Sequence, residues 1–240
     1  MATSVLTDVA FFIRELNFSA EMNEVSLTQD IEAADATTFA TNGTRTFTPG
    51  LAGVSGTHHG WWDTTGVLSG SSEAFDDIGV QLAGLHTLMP EGGLENEVAY
   101  MFEATNTRYS PSGSLGDLWG FDLEYMPRGD LLRGTTLTDS EVSRSSTEVG
   151  TERQLGASTG LTVYSGIHCT EFTGTTLDVI IESDVVGFAG PTTRITHTQL
   201  TGVGSELSTF TAGTTDDYWR MTGTFVGSSF TLACVVAIQA

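Results

Sequence analysis

Hydrophobic and polar residues alternate with a period of two along several stretches of the chain. The clearest stretch runs from about Asn23 to Glu32, where aliphatic side chains alternate with Ser, Thr and Asp. A two-residue period places successive side chains on opposite faces of a β-strand. Similar patterns predict further strands in the first half of the chain, with a break at Pro49-Gly50. These strands cover about residues 44–48, 51–63, 95–107 and 117–126.

One segment has a helical period instead. Phe75, Ile78 and Leu82 form an apolar stripe at helical spacing, and Ser72 before them is a suitable N-cap. Gly84 marks the expected end. The pattern predicts one helix over about residues 72–83, with the stripe packed against the core.

The second half contains only strand patterns. A polar stretch from Thr135 to Thr159 contains the expected domain boundary. After it, turn residues separate short strands at short intervals, as in a β-sandwich. These strands cover about residues 161–170, 176–183, 193–198, 206–211, 218–226 and 230–238. The prediction is a mostly β protein with an antiparallel barrel or sandwich domain over residues 1–156 and a β-sandwich over 157–240.

Charge narrows the choice of function. The chain has thirty acidic and nine basic residues, the basic ones are all arginine, and the net charge is −21. Such a chain repels a nucleic-acid backbone and cannot bind it by neutralising phosphates. Repulsion is still useful where DNA must slide past without sticking. Adaptation to high salt and a GC-rich genome that depletes lysine codons explain the bias equally well.

Motifs for catalysis or cofactor binding are missing from the sequence. It has no Gly-x-Ser-x-Gly elbow, paired-histidine zinc motif or phosphate-binding glycine loop. His58 and His59 are adjacent, so on a strand they point to opposite faces and cannot easily share a metal ion. Cys169 and Cys234 do not form a disulfide framework. We expect no enzyme activity, metal or cofactor, and with no signal peptide or membrane span we expect synthesis in the cytoplasm.

A series of short motifs follows in a fixed order between Glu21 and Asp63. They are Val25-Ser26-Leu27, Asp35-Ala36-Thr37-Thr38-Phe39, Arg45-Thr46-Phe47-Thr48-Pro49-Gly50-Leu51, and Ser55-Gly56 leading to Gly60-Trp61-Trp62-Asp63. Together they resemble the pattern of major tail tube proteins of siphovirus-type phages. The C-terminal part resembles an extra β-sandwich that is appended to some phage tail proteins. That resemblance rests on Leu177-Asp178-Val179-Ile180, Thr198 through Gly204, and Tyr218-Trp219-Arg220.

The resemblance implies a structural virion protein. Its subunits would close into six-membered rings that stack into a tube, with genomic DNA passing through the lumen without specific binding. The appended domain would decorate the outside. Implied partners are other copies of the chain, the tape measure protein and the tail terminator. The doubled Trp61-Trp62, with His58-His59 before it, departs from the family pattern and affects the expected packing of that strand.

Two groups of residues are candidates for roles in such a tube. Six acids lie opposite the main apolar residues of their strands and are predicted to face the lumen: Asp30, Glu32, Glu97, Glu103, Asp122 and Glu124. Ordinary solvent exposure explains them almost as well. Four aromatic residues are predicted to contact neighbouring subunits, with burial in the subunit as the alternative: Phe11, Phe12, Trp61 and Trp62.

Two other functions stay open at this stage. A carbohydrate-binding module would use Tyr218, Trp219 and Asp217 of the C-terminal sandwich as an aromatic platform. Another virion part, such as a head decoration or tail terminator protein, would form a single layer, whereas a tube subunit stacks head to tail without limit.

Overall fold

The computed structural model describes residues 8–37, 44–45, 47–62, 75, 78 and 84–239. The described chain forms fourteen β-strands, and every strand pair with a defined register is antiparallel. They are β1 (Ala10–Ile13), β2 (Leu16–Asn17), β3 (Met22–Asp35), β4 (Phe47–Trp61), β5 (Gly84–Met89), β6 (Val98–Ser112), β7 (Gly120–Thr136), β8 (Ser143–Arg144), β9 (Glu148–Val149), β10 (Arg153–Gln154), β11 (Thr162–Asp184), β12 (Thr192–Thr196), β13 (Gly204–Phe210) and β14 (Tyr218–Gln239). The mostly β prediction is confirmed.

The chain divides into two compact units. Unit 1 contains residues 1–20, 84–101 and 132–240, and unit 2 contains residues 21–83 and 102–131. The predicted boundary between residues 156 and 157 does not coincide with this division, because β8, β9 and β10 pair with β14 inside unit 1. Separate folding of residues 1–156 and 157–240 stays a prediction.

Unit 1 is organised around its two longest strands. β11 and β14 pair along almost their whole length, from Thr162 opposite Gln239 to Asp184 opposite Tyr218. β12 and β13 pair with two different parts of β11. Between these strands lies a core of aliphatic and aromatic residues that includes fully buried Trp219. Burial of such side chains contributes about 1.5–3 kcal/mol each, which makes this core the main source of stability in unit 1.

A second core in unit 1 involves the start of the described chain. β1 pairs with β2 and β5, and all six residues of β5 are buried. Phe12 and Met89 pack there with Leu85, Met101 and Val235. This core therefore joins segments that lie far apart in the sequence.

Unit 2 contains β3 and β4, the end of β6 and the start of β7. β4 pairs with β3 over Phe47–Gly60 and with β7 over Gly56–Trp61. β7 in turn neighbours β6, so the strand order is β3-β4-β7-β6. The Tyr125 ring lies 5.0 Å from that of Phe102 and 4.8 Å from that of His58. A Cβ atom on Gly56 would lie 1.7 Å from the Tyr125 hydroxyl, so only glycine leaves room for this ring.

Several predicted breaks are wrong because glycine and proline lie inside strands. Pro49 lies within β4, opposite Ala33 of β3. Pairing of β4 with β7 begins only at Gly56, so the missing Pro49 N–H costs no ladder bond on that side. The two strands predicted over residues 161–170 and 176–183 form one continuous strand, β11. Those predicted over 218–226 and 230–238 likewise form one strand, β14. The pairing of β11 with β14 shifts register near Gly174.

The predicted helix over residues 72–83 lies almost entirely outside the described residues. Within it, the Ile78 amide donates a hydrogen bond to the Phe75 carbonyl at 3.2 Å. Gly84, the expected end of the helix, is instead the first residue of β5.

Candidate functional site: the acidic face of unit 2

One face of the unit 2 sheet collects carboxylates from neighbouring strands. Glu24 of β3 lies opposite His59 of β4, which lies opposite Asp122 of β7. Two residues further along, Ser26, Thr57 and Glu124 form a second row. Residues in register share a face, as do residues two positions apart. The strand pairing, which the sequence does not show, therefore brings these acids together.

Two further carboxylates share this face. Asp30 lies in register with Gly53, an even number of positions from Ser26 and Thr57. Glu103 of β6 is exposed between Phe102 and Ala104, which pack with Tyr125 in the core. We call the surface formed by Glu24, Asp30, Glu103, Asp122 and Glu124 the acidic face.

The opposite face of the same sheet forms the core of unit 2. His58, Phe121, Leu123 and Tyr125 are buried there. Burial raises the pKa of the Tyr125 hydroxyl well above its usual range, so this ring stays neutral in the core. The sheet thus has one apolar face and one charged face, as expected for an antiparallel sheet that covers a core on one side.

Few basic side chains contact the carboxylates of the acidic face. An Arg108 Nη1 atom lies 2.7 Å from Glu124 Oε1, and His59 Nδ1 lies 2.8 Å from Asp122 Oδ1. Among the described residues, Glu24, Asp30 and Glu103 have no ion-pair partner. Their mutual repulsion is screened by salt over a Debye length of about 10 Å at 0.1 M. The result is a strip of negative potential along the sheet.

The predicted acids divide into three groups. Asp30, Glu103, Asp122 and Glu124 lie on the acidic face, and Glu24 joins them although the sequence analysis missed it. Glu97 does not: it precedes β6 in unit 1, where its carboxylate accepts a 2.8 Å hydrogen bond from the Leu94 amide. The side chain of Glu32 lies outside the described residues. That the acidic face lines a lumen stays a prediction.

The four predicted contact aromatics also differ from one another. The side chains of Phe11 and Phe12 are buried within unit 1, which is the alternative that the sequence left open. They have almost no surface to offer a neighbouring subunit. Trp61 is 41% exposed, with its ring edge against His59. Trp62 stacks on Trp119 at 5.2 Å.

Trp219 cannot take part in the sugar platform considered for the C-terminal sandwich. Trp219 is 0% exposed, and its Nε1–H donates a 2.9 Å hydrogen bond to the Gly156 carbonyl. An aromatic platform must expose its ring face to a sugar. Trp219 is instead the largest buried side chain of unit 1, because alternation along β14 directs it into the core.

One constellation in unit 1 has the residue types of a catalytic triad. Ser165 Oγ lies 2.9 Å from His197 Nε2, and His197 Nδ1 lies 3.8 Å from Glu206 Oε1. Ser165 is buried in the middle of β11, which pairs there with both β13 and β14. No substrate can reach this hydroxyl. Burial lowers the pKa of His197 to about 4, so the group acts as a neutral core residue.

The described residues contain no cluster of three or more His, Cys, Asp or Glu side chains that could hold a metal ion. His58 and His59 point to opposite faces of the sheet, one in the core and one on the acidic face. Within the described part of the chain, no helix is long and apolar enough to cross a membrane.

Comparison with known proteins gives weak structural similarity and no sequence match. No protein-family model matches the chain, and neither does any curated protein sequence. Among solved structures, the chain is similar to the Dit protein (gp 19.1) of SPP1, described as a paradigm of the hub adsorption apparatus in phages that infect Gram-positive bacteria. The match has 10% sequence identity and a TM-score of 0.38, and covers 98% of this chain and 100% of that one. Similarity at this level does not assign a fold family or a function.

Proposed function

We propose that this chain is a structural virion protein, the major tail tube subunit of a tailed phage. Its copies form hexameric rings that stack into a tube, and the acidic face of unit 2 lines the lumen through which genomic DNA passes. It assembles in the host cytoplasm together with the tape measure and tail terminator proteins. It has no enzymatic role and needs no cofactor.

The acidic face is the observation that carries this proposal. Five carboxylates from three strands of one sheet leave a negative surface, and Arg108 and His59 are the basic side chains that form ion pairs with it among the described residues. A surface of this charge repels phosphates, which lets a duplex slide without adhering. The sequence motifs between Glu21 and Asp63 that resemble tail tube proteins fall in the same unit.

Open sheet edges support assembly between copies. Among the described strands, β3 pairs only with β4, so no described strand covers its other edge. Such edges readily pair with another chain, and closing a sheet into a barrel removes them. Unit 2 also exposes Ile31, Phe47 and Trp61 on β3 and β4. Ring closure through these strands would cover both features.

The alternatives differ in the assembly they predict. A head decoration or tail terminator protein forms a single layer, whereas a tube subunit stacks without limit. Negative-stain electron microscopy at low and at molar salt separates them, because salt screens the repulsion between copies of net charge −21. Stacked hollow rings of uniform width are the expected result. Monomers under every condition would contradict the proposal.

Charge reversal tests which face lines the lumen. The variant Asp122→Lys/Glu124→Lys places positive charge on the acidic face. A matched variant, Glu171→Lys/Asp178→Lys, makes the same charge change in the segment proposed to decorate the outside. Short duplex DNA bound by assembled tubes of the first variant should resist nuclease, and DNA bound by the second should be digested. Equal digestion in both would place the acidic face outside the lumen.

A further inference from the structure

The loop between β6 and β7 carries a group of apolar side chains that its own unit does not cover. Leu115 is 108% exposed, Leu118 71% and Trp119 53%. Trp119 is held by stacking on Trp62 and by packing on Gly113, so the loop has a fixed base. Exposed apolar groups of this size on a stable fold mark contact sites. We call Leu115 and Leu118 the knob.

A hollow lies further along the same two strands. It has a volume of about 470 Å³ and is lined by Thr105, Thr107, Met126, Pro127 and Arg128. Met126 is itself exposed. Pockets that receive ligands or side chains are typically about 300–1,000 Å³ and mostly apolar, with a few polar groups at the edge. The hollow fits that description.

The knob cannot fill the hollow of its own chain. Met126, in the hollow, lies six positions after Gly120, the first residue of β7 after the loop. At about 3.3 Å per residue, this distance is about 20 Å. The strands between are paired and extended, since Thr107 donates a hydrogen bond to the Glu124 carbonyl. Only another molecule can bring the two surfaces together.

Charge at the two surfaces is complementary. Asp117 lies between the knob residues, and Arg128 lines the hollow. Among the described residues neither has an ion-pair partner, although acids outnumber bases 30 to 9 in the chain. The Arg128 guanidinium can therefore pair with a carboxylate from another molecule. A second copy supplies the missing acid at the right apolar site.

We propose that the knob of one copy inserts into the hollow of the next, with Asp117 pairing with Arg128. The contact is heterologous, since two different surfaces meet, and contacts of this kind generate rings or open stacks. It rests on the proposed self-assembly and specifies which surfaces meet. The hollow begins two residues beyond Glu124 on β7, so the contact lies next to the acidic face.

Cysteine cross-linking between two variants tests the contact directly. Leu115→Cys and Met126→Cys proteins are mixed, oxidised and analysed for a heterodimer. The native thiols do not interfere, because Cys169 and Cys234 are buried and burial raises their pKa values to about 11 and about 12. The expected result is a heterodimer from the mixture that does not form with Val203→Cys, an exposed control in unit 1. Equal cross-linking with the control would overturn the proposal.

Charge exchange gives an independent measurement that does not depend on oxidation. Asp117→Arg should raise the protein concentration needed for assembly by about threefold or more, the range of a partly covered ion pair. Arg128→Asp should do the same, and the double variant should restore the wild-type value. Leu115→Ser/Leu118→Ser should raise it at least about tenfold, because each buried leucine is worth more than such a pair. Failure of the double variant to restore assembly would contradict the pairing.

The outcomes separate this inference from the proposed function. If tubes form but the heterodimer between the Leu115→Cys and Met126→Cys variants does not, the proposed function stands and the proposed contact is wrong. If the heterodimer forms but neither rings nor tubes do, the contact is established and the proposed function as a tube subunit is wrong. If Leu115→Ser instead abolishes binding to phosphatidylcholine vesicles and no heterodimer forms, the loop binds lipid and the contact is wrong.

Discussion

The two units differ in whether their large apolar side chains are buried or exposed. Unit 1 buries Phe12, Phe230 and Trp219 between long paired strands, and its exposed large hydrophobics among the described residues are valines and Leu94. The described core of unit 2 lies around Phe102 and Tyr125. It exposes Ile31, Phe47, Trp61, Phe75, Leu115, Leu118, Trp119 and Met126. Among the described residues, unit 1 thus exposes mainly valines, whereas unit 2 exposes larger aliphatic and aromatic side chains, as the proposed contact between copies requires.

Truncating one tryptophan in each unit should give the largest contrast. Trp219→Ala removes a fully buried ring and its hydrogen bond to Gly156, and should cost about 3–5 kcal/mol of unfolding free energy. Trp61→Ala removes a partly exposed ring and should cost about 1 kcal/mol or less. Urea unfolding of the monomer measures both. Similar losses would mean that unit 2 depends on its aromatics as unit 1 does.

Acid should destabilise unit 1 through two buried histidines. Burial lowers the pKa of His168 and of His197 to about 4, from 6.5. Because the folded protein holds them neutral, their contribution is complete above pH 6.5 and is lost as the pH falls towards 4. Between pH 7 and pH 5, the contribution of each histidine to the free energy of unfolding should fall by about 2 kcal/mol. Urea unfolding at high salt, which screens the other charges, follows the loss.

Glutamine variants isolate this effect from the many carboxylates. His168→Gln and His197→Gln should be less stable than the wild type at pH 7, and the difference should shrink towards pH 5. A constant difference between these pH values would show that the histidines do not titrate on unfolding.

Unit 2 should be sensitive at one glycine and tolerant three residues away. Gly56→Ala places a methyl group against the Tyr125 ring and should cost about 1–3 kcal/mol through overpacking. Gly53→Ala, on the same strand, meets no atom within 4 Å and should change stability by about 0.5 kcal/mol or less. Thermal unfolding of both variants gives the comparison. Equal stability would mean that Tyr125 is free to move aside.

The smallest contrast concerns two ion pairs. Glu182 accepts hydrogen bonds from Arg220 and Thr222, both at 2.9 Å, in a mostly buried site of unit 1. Glu182→Gln should cost about 1–2 kcal/mol. Glu124→Gln breaks the more exposed pair with Arg108 in unit 2 and should cost about 0–1 kcal/mol, with the difference vanishing in molar salt. A larger loss for Glu124→Gln would reverse the comparison.

The sequence predicted strands best where one face is buried and the other exposed. β3 and β7 alternate clearly, and Phe121, Leu123 and Tyr125 lie in the core as expected. β1 and β5 were missed because they are short and buried on both faces, so they show no alternation. Glycines that form bulges near Gly174 were interpreted as turns.

The acidic face could be predicted only in part for a related reason. Alternation shows which residues of one strand share a face, and it selected Asp30, Asp122 and Glu124. The same alternation places Glu24 with Asp30, so Glu24 could have been selected too. Alternation does not show which strands are neighbours or in which register, and this pairing is what brings the acids of different strands together. Glu97 was included because the predicted strand began three residues before β6 does. The tryptophan at position 219 seemed a platform only because its strand partners were unknown.

The position of β14 in the sequence determines when the core of unit 1 can form during synthesis. It pairs with β7, β8, β9, β10 and β11, yet it is synthesised after all of them. At about 5–20 residues per second, the ribosome reaches Tyr218 on the order of tens of seconds after Ala10. Until then the core around Trp219 has no central strand. The strands of unit 2, which carry the exposed side chains proposed for assembly, are therefore synthesised before the core of unit 1 is complete.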